Sequence, residues 1–205
     1  MAGIGVRLNR IFEKNTLTTN LVGFFYSTVV TVAPMFVIII NLILMEYLLD
    51  FASVGYVTRE LFSCTILYTF IFSLLTASPF NAVLSRYMSD VIYEERYQDI
   101  LPCYHIGMLL NIGLSCLLGI PFCLWEHFVG KVPTAYVFCG FCGYISLVLV
   151  FYSMIYLSIC KDYQRISQYF FFGMLVAFVL ALILHFILKW ETTWSMLFSL
   201  TIGFF

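Results

Sequence analysis

The charged residues of this chain are confined to short gaps between long apolar blocks. Residues 15–45, 61–85, 100–125, 132–160 and 166–188 contain no Asp, Glu, Lys or Arg. Each block exceeds the roughly 20 residues that a helix needs to cross a bilayer. The chain is 62% hydrophobic with a mean hydropathy of +1.00, far above the roughly 45–50% apolar content of soluble domains. Between residues 169 and 188 there are 14 Leu, Ile, Val or Phe residues. At roughly −0.3 to −0.6 kcal/mol each, they contribute about −4 to −8 kcal/mol to insertion, more than one charge at about +3 kcal/mol would reverse. The fold class that follows is all-α, a polytopic transmembrane helix bundle. The net charge of −1 carries no information on partners, because placement outweighs the sum.

Spans are expected at residues 21–48, 61–80, 101–124, 136–157 and 169–188, with an incomplete sixth from Trp194. Trp125, Trp190 and Trp194 fall at span ends, where amphipathic rings favour the headgroup layer. Residues 1–14 read as a short amphipathic helix: Ile4, Leu8, Ile11 and Phe12 recur at helical spacing, with Arg7, Arg10 and Lys14 on another face. The domain reading is therefore a cytoplasmic arm over residues 1–18 and a bundle over 19–205. The first apolar run is too long and too far from Met1 for a cleavable signal. Gly3 is misplaced for myristoylation.

Lys and Arg set the orientation. Arg7, Arg10, Lys14, Arg86, Arg96, Lys161 and Arg165 fall on one side, against Arg59, Lys131 and Lys189 on the other. That excess places the amino terminus in the cytoplasm. The gap between the second and third spans repeats Val83/Leu84, Tyr87/Met88 and Val91/Ile92 every four residues, so the second span is expected to continue as an amphipathic helix along the cytoplasmic surface. Pro102 then restarts the chain for the third span.

Seven cysteines raise the question of a disulfide or metal framework. Cys139 and Cys142 form a CxxC, but no second pair or histidine cluster accompanies it. Cys139 and Gly143 fit a small-xxx-small packing face instead. No catalytic set, metal set or cofactor motif is evident: there is no nucleophile elbow, no HExxH and no phosphate-cradling glycine loop, and every loop is short.

The candidate substrate-path residues are Pro34, Asn41, Glu46, Asn111 and His185. Pro34 removes a backbone hydrogen bond in the first span and makes either a hinge or a fixed kink. Asn41 and Asn111 are amides inside apolar blocks, which normally face a bundle interior or a wet cavity. Glu46 lies near the outer end of the first span, beside Asp50, and fits an interfacial position equally well. His185 lies one turn from Lys189, where snorkelling competes with a proton-transfer role. Arg86 and Asp90, four residues apart, share one helical face; they make either a solvated surface pair or a cytoplasmic clasp against another helix.

The opening residues Met1-Ala2-Gly3-Ile4-Gly5-Val6-Arg7-Leu8 resemble the start of the PelG family of Pel exopolysaccharide transporters. So do the segment Leu84-Ser85-Arg86-Tyr87-Met88-Ser89-Asp90 with Tyr93, and the run from Tyr97 to Pro102. The resemblance covers the whole chain in span order. It implies the multidrug, oligosaccharidyl-lipid and polysaccharide flippase superfamily, whose members fold as two six-helix bundles around a central cavity. This chain would then be the N-terminal half of a protein about twice as long. The resemblance further implies export of an amino-sugar polymer for the biofilm matrix across the bacterial cytoplasmic membrane. Its implied partners are a cytoplasmic glycosyltransferase and other membrane synthase subunits. Nucleic acid is not among the expected partners. Two other readings stand beside it: a cation-coupled exporter of drugs or lipid-linked oligosaccharides, and a non-transporting scaffold for a polysaccharide synthase.

Overall fold

The computed structural model describes residues 36–159 and 163–205. The amphipathic arm, Pro34 and most of the first expected span lie outside the described residues. Those described form α1 (Phe36–Leu48), α2 (Tyr56–Tyr93), α3 (Ile100–Phe128), α4 (Thr134–Ile159), α5 (Tyr163–Phe186) and α6 (Thr192–Phe204), with no strand among them. In α2, α3, α4 and α5 there is a stretch long and apolar enough to cross a membrane. The protein is a multi-pass all-α membrane bundle.

Large apolar side chains cover its outside, and polar side chains stand among the buried ones. Leu75, Leu109, Leu117, Phe138, Phe172 and Ile187 face outward, while Ser73, Thr76, Asn111, Ser115, Ser195 and Ser199 are buried. In hydrocarbon, outward apolar side chains carry no cost, and helices associate through small and polar contacts. α4 is the central element and packs against α2, α3, α5 and α6, while α5 and α6 form a second close pair. α1 joins that pair: Ile38, Met45 and Leu49 share a core with Met174, Ala177, Ala181 and Met196.

The second helix is far longer than the expected span at 61–80. Its 38 residues, at about 1.5 Å each, reach roughly 57 Å, against about 30 Å of hydrocarbon. The helix starts at Tyr56, carries Pro79 internally and runs unbroken to Tyr93, so the expected continuation belongs to the same element. Of the paired apolar positions, Leu84, Met88 and Val91 are buried, the first two in a cluster with Tyr152 that Cys103 and Tyr104 flank; Val83 and Tyr87 face outward. α2 ends in a left-handed Glu95 (φ 60°). The Arg96 N–H donates to Val91 O and the Glu95 N–H to Ile92 O, which is the Schellman pattern for closing a helix. Pro102 lies in the first turn of α3, where its missing N–H costs nothing.

Asp50, Lys131 and Lys189 repeat the left-handed turn in the other described connections. The loops holding these three residues meet at one end of the bundle. There the Thr192 hydroxyl donates to Leu49 O at 3.4 Å, and Trp194 packs edge-on against Tyr136 with ring centroids 5.6 Å apart.

Candidate functional site

The buried polar groups lie along two separate helix seams. The first runs between α2, α3 and α4. On α3 the inward stripe is Gly107, Asn111, Ser115 and Gly119, a spacing of four that returns to one helical face. Both glycines admit aromatic rings from α4. The Tyr152 ring fills the space that a Cβ on Gly107 would need, and Phe141 Cε2 lies 2.6 Å from the Cβ position of Gly119. The Tyr152 hydroxyl donates to Tyr104 O at 3.1 Å, and Tyr104 and Ser153 share a hydroxyl hydrogen bond of 2.8 Å. Higher in the seam, the Thr76 and Tyr144 hydroxyls are 2.7 Å apart, and Thr76 also donates to Phe72 O.

Asn111 is fully buried in this seam, and neither its amide nitrogen nor its oxygen has a hydrogen-bond partner. Leaving such groups open costs about 1–3 kcal/mol apiece, so an unpaired amide at the centre of a packed helix calls for a functional explanation.

The second seam joins α1, α5 and α6. Asn41 donates from Nδ2 to Met174 O at 2.8 Å, while its Oδ1 is buried and open. Below it α5 and α6 touch backbone to backbone: a Cβ on Gly203 would sit 2.7 Å from Gly173 O and 2.5 Å from Ala177 Cβ. Cys139 and Gly143 use the same device across α4 and α6, with Cys139 Sγ 3.6 Å from Thr201 Oγ1 and the Gly143 Cβ position 3.0 Å from that oxygen.

The predicted residues are thus not gathered at one point. Asn41 and Asn111 face different seams. Glu46 is exposed on α1. His185 is half-buried in the last turn of α5, its Nδ1 unpartnered and its ring edge-on to Phe186 at 5.1 Å. Arg86 and Asp90 are both exposed and no ion pair joins them. Instead Arg96 takes two of the three carboxylates around the turn, pairing with Glu94 and, at 3.5 Å, with Asp99.

Of the recesses that open between the described helices, two carry polar side chains from several helices. One of about 590 Å³ separates α3 and α4 from α5 and α6, with Ser146, Ser153 and Tyr169 among its lining residues. The other, of about 190 Å³, lies between α2, α3 and α4 and is lined by aromatic rings, Thr65, Thr69 and Glu126. Glu126 stands just past a charge-free block, so residue-by-residue scanning for intramembrane charge passes over it. Only the folding of three helices around it brings it into a cavity. The Gly107-to-Gly119 stripe, by contrast, is visible in the sequence as a period of four small or polar residues within an apolar helix.

No curated protein and no solved structure matches this chain. The family model PelG, described as "Putative exopolysaccharide Exporter (EPS-E)", matches residues 1–205. A multi-pass helix bundle with polar seams turned inward is the architecture such an exporter requires, and the chain belongs to the PelG family of exopolysaccharide exporters.

Proposed function

We propose that the chain is one lobe of a transporter that moves an amino-sugar exopolysaccharide across the bacterial cytoplasmic membrane and into the biofilm matrix. A second bundle would complete the path. The polymer would be handed over by a cytoplasmic glycosyltransferase working with other membrane synthase subunits. The observation that carries this reading is the set of polar side chains buried inside an apolar-surfaced bundle that belongs to an exporter family. A polymer rich in hydroxyl and amine groups needs a polar track through hydrocarbon, and intramembrane polar side chains mark such tracks. Asn111, fully buried and open at both ends of its amide, would reach a passing hydroxyl or its water once the seam between α2, α3 and α4 parts. Asn41 Oδ1 offers a further acceptor. Passage would proceed by alternating access or by threading between the lobes.

The test is synthesis-coupled export. Inverted vesicles containing the complete exporter, the synthase and labelled nucleotide sugar should accumulate polymer in a lumen protected from an added glycosidase. If polymer remains equally protected after the exporter is removed, the reading fails.

A further inference from the structure

The 190 Å³ cavity is a cleft in the lipid-facing surface. Its floor is α4, through the buried Tyr136, Val137 and Tyr144, and its lips include the half-exposed Tyr68 and Phe72 of α2 and Leu118 of α3. On a membrane bundle such outward apolar side chains meet hydrocarbon. Glu126 lines one end and Leu118 the other, two turns further into α3, a depth of about 12 Å at 1.5 Å per residue. One leaflet of hydrocarbon is about 15 Å deep. Trp125, exposed beside Glu126, sits where the headgroup layer is expected. The cleft therefore descends from that layer into a single leaflet.

The headgroup end carries a distinct charge pattern. Glu126 is the one charged residue lining the cleft; it is half-buried and makes no ion pair among the described residues. The basic residues near this end do not compensate it: His127 is turned to Val132 O at 3.2 Å, Lys131 is exposed in the loop, and Arg59 does not line the cleft. Anionic head groups are held by Lys and Arg clusters, and none stands here. A carboxylate drawn part-way out of water favours a positive group instead, and aromatic faces attract ammonium. Two hydroxyls narrow the class further. The Tyr136 hydroxyl is buried with no hydrogen-bond partner, and Thr65 Oγ1, which donates to Leu61 O at 2.7 Å, keeps acceptor capacity. A primary ammonium brings three N–H donors to these three acceptors; a trimethylated one brings none.

We propose that this cleft is a binding site for a phospholipid with an ethanolamine head group. Glu126 pairs with the ammonium, and the Tyr136 and Thr65 hydroxyls accept its remaining N–H groups. The phosphate stays in the headgroup layer, and an acyl chain lies along Phe72 and Leu118 toward Tyr144. Under the expected topology the lipid comes from the outer leaflet. Seated there, it bridges α2 and α3 over the floor made by α4. The assignment does not rest on the export reading: it needs only the cleft, its charge and the membrane around it.

The test is native mass spectrometry of the full chain in detergent, titrated with phosphatidylethanolamine, phosphatidylcholine and phosphatidylglycerol of identical acyl chains. The ethanolamine lipid should bind at least ten-fold more tightly than either of the others. Glu126→Gln should erase that preference. Tyr136→Phe, which keeps the ring, should narrow the margin over the choline lipid, and Glu60→Gln, at an exposed carboxylate of the same end, should change nothing. A ten-fold excess of soluble phosphoethanolamine should leave the bound lipid in place. Equal binding of the three lipids by folded wild type overturns the site, as does tighter binding of the glycerol lipid. So does a Glu126→Gln protein that melts like wild type yet keeps the preference, or a folded Tyr136→Phe protein that keeps the full margin over choline. Displacement by phosphoethanolamine would make the cleft a small-amine site and overturn the lipid.

Discussion

Asn111 is the residue at which packing and function pull apart most clearly. Its amide is fully buried and open at both ends, so Asn111→Leu removes an unsatisfied group and keeps most of the volume. Replacing an unpaired polar group by an apolar one of similar shape is neutral to stabilising. The melting temperature in nanodiscs should therefore hold or rise, while polymer export falls at least ten-fold; unchanged export would reduce Asn111 to a packing residue. Asn41 behaves differently because its Nδ2 is used. Asn41→Ala breaks the bond to Met174 O and should cost about 0.6–1.7 kcal/mol, the range for interhelical hydrogen bonds in membranes, read as a lowered denaturation midpoint. Both amides were legible in the sequence because each is a polar side chain inside an apolar block. Their separation into two seams was not, since it depends on which helices become neighbours. Glu126 was hidden for the same reason.

At the scale of elements, the tightest constraint is the crossing of α5 and α6. Gly173 and Gly203 each face the other's carbonyl so closely that even a methyl group has no room. Gly173→Ala and Gly203→Ala should each destabilise the bundle by about 1–3 kcal/mol, the usual cost of overpacking. Gly113 is the control: nothing lies within 4 Å of its Cβ position, so Gly113→Ala should gain up to about 1 kcal/mol of helix propensity. Equal behaviour of all three in thermal melts would remove the backbone contact as the explanation. The projecting half of α2 carries a second prediction. Arg86 and Asp90 share a helical face but are exposed and not paired with each other, so their mutual coupling should be about 0–1 kcal/mol. The charge-swapped double mutant should export no better than the worse single mutant; recovery beyond both would restore a mutual clasp. Helix existence and the period-four faces were readable from hydropathy alone. The continuation of α2 past the expected span was readable from the period of four over residues 83–92, and the helix runs through Pro79 on apolar contacts with Tyr152 and Tyr104; its start at Tyr56, ahead of residue 61, was not readable, because Arg59 and Glu60 fall inside it.

At the scale of the whole molecule, geometry and orientation are separate questions, and each has its own measurement. The Thr192–Leu49 hydrogen bond and the Trp194–Tyr136 ring contact tie three connections to one end of the bundle. Probes at Ser53, Lys131 and Lys189 must therefore share one side, whichever side that is. A probe at position 92 lies near the far end of α2, a helix that extends roughly 57 Å, and must report the opposite side. The excess of Lys and Arg on the side of Arg86 and Arg96 then decides which face is cytoplasmic, because cationic loops are retained there during insertion. With the seven native cysteines removed, an impermeant maleimide added to intact cells should modify cysteines at 53, 131 and 189 and spare those at 92 and 163. Modification of 92 and 163 alone would invert the orientation and leave the bundle intact. Modification of 53 without 131 would break the bundle itself, since no arrangement that keeps Tyr136 against Trp194 and Leu49 against Thr192 places those loops on opposite faces.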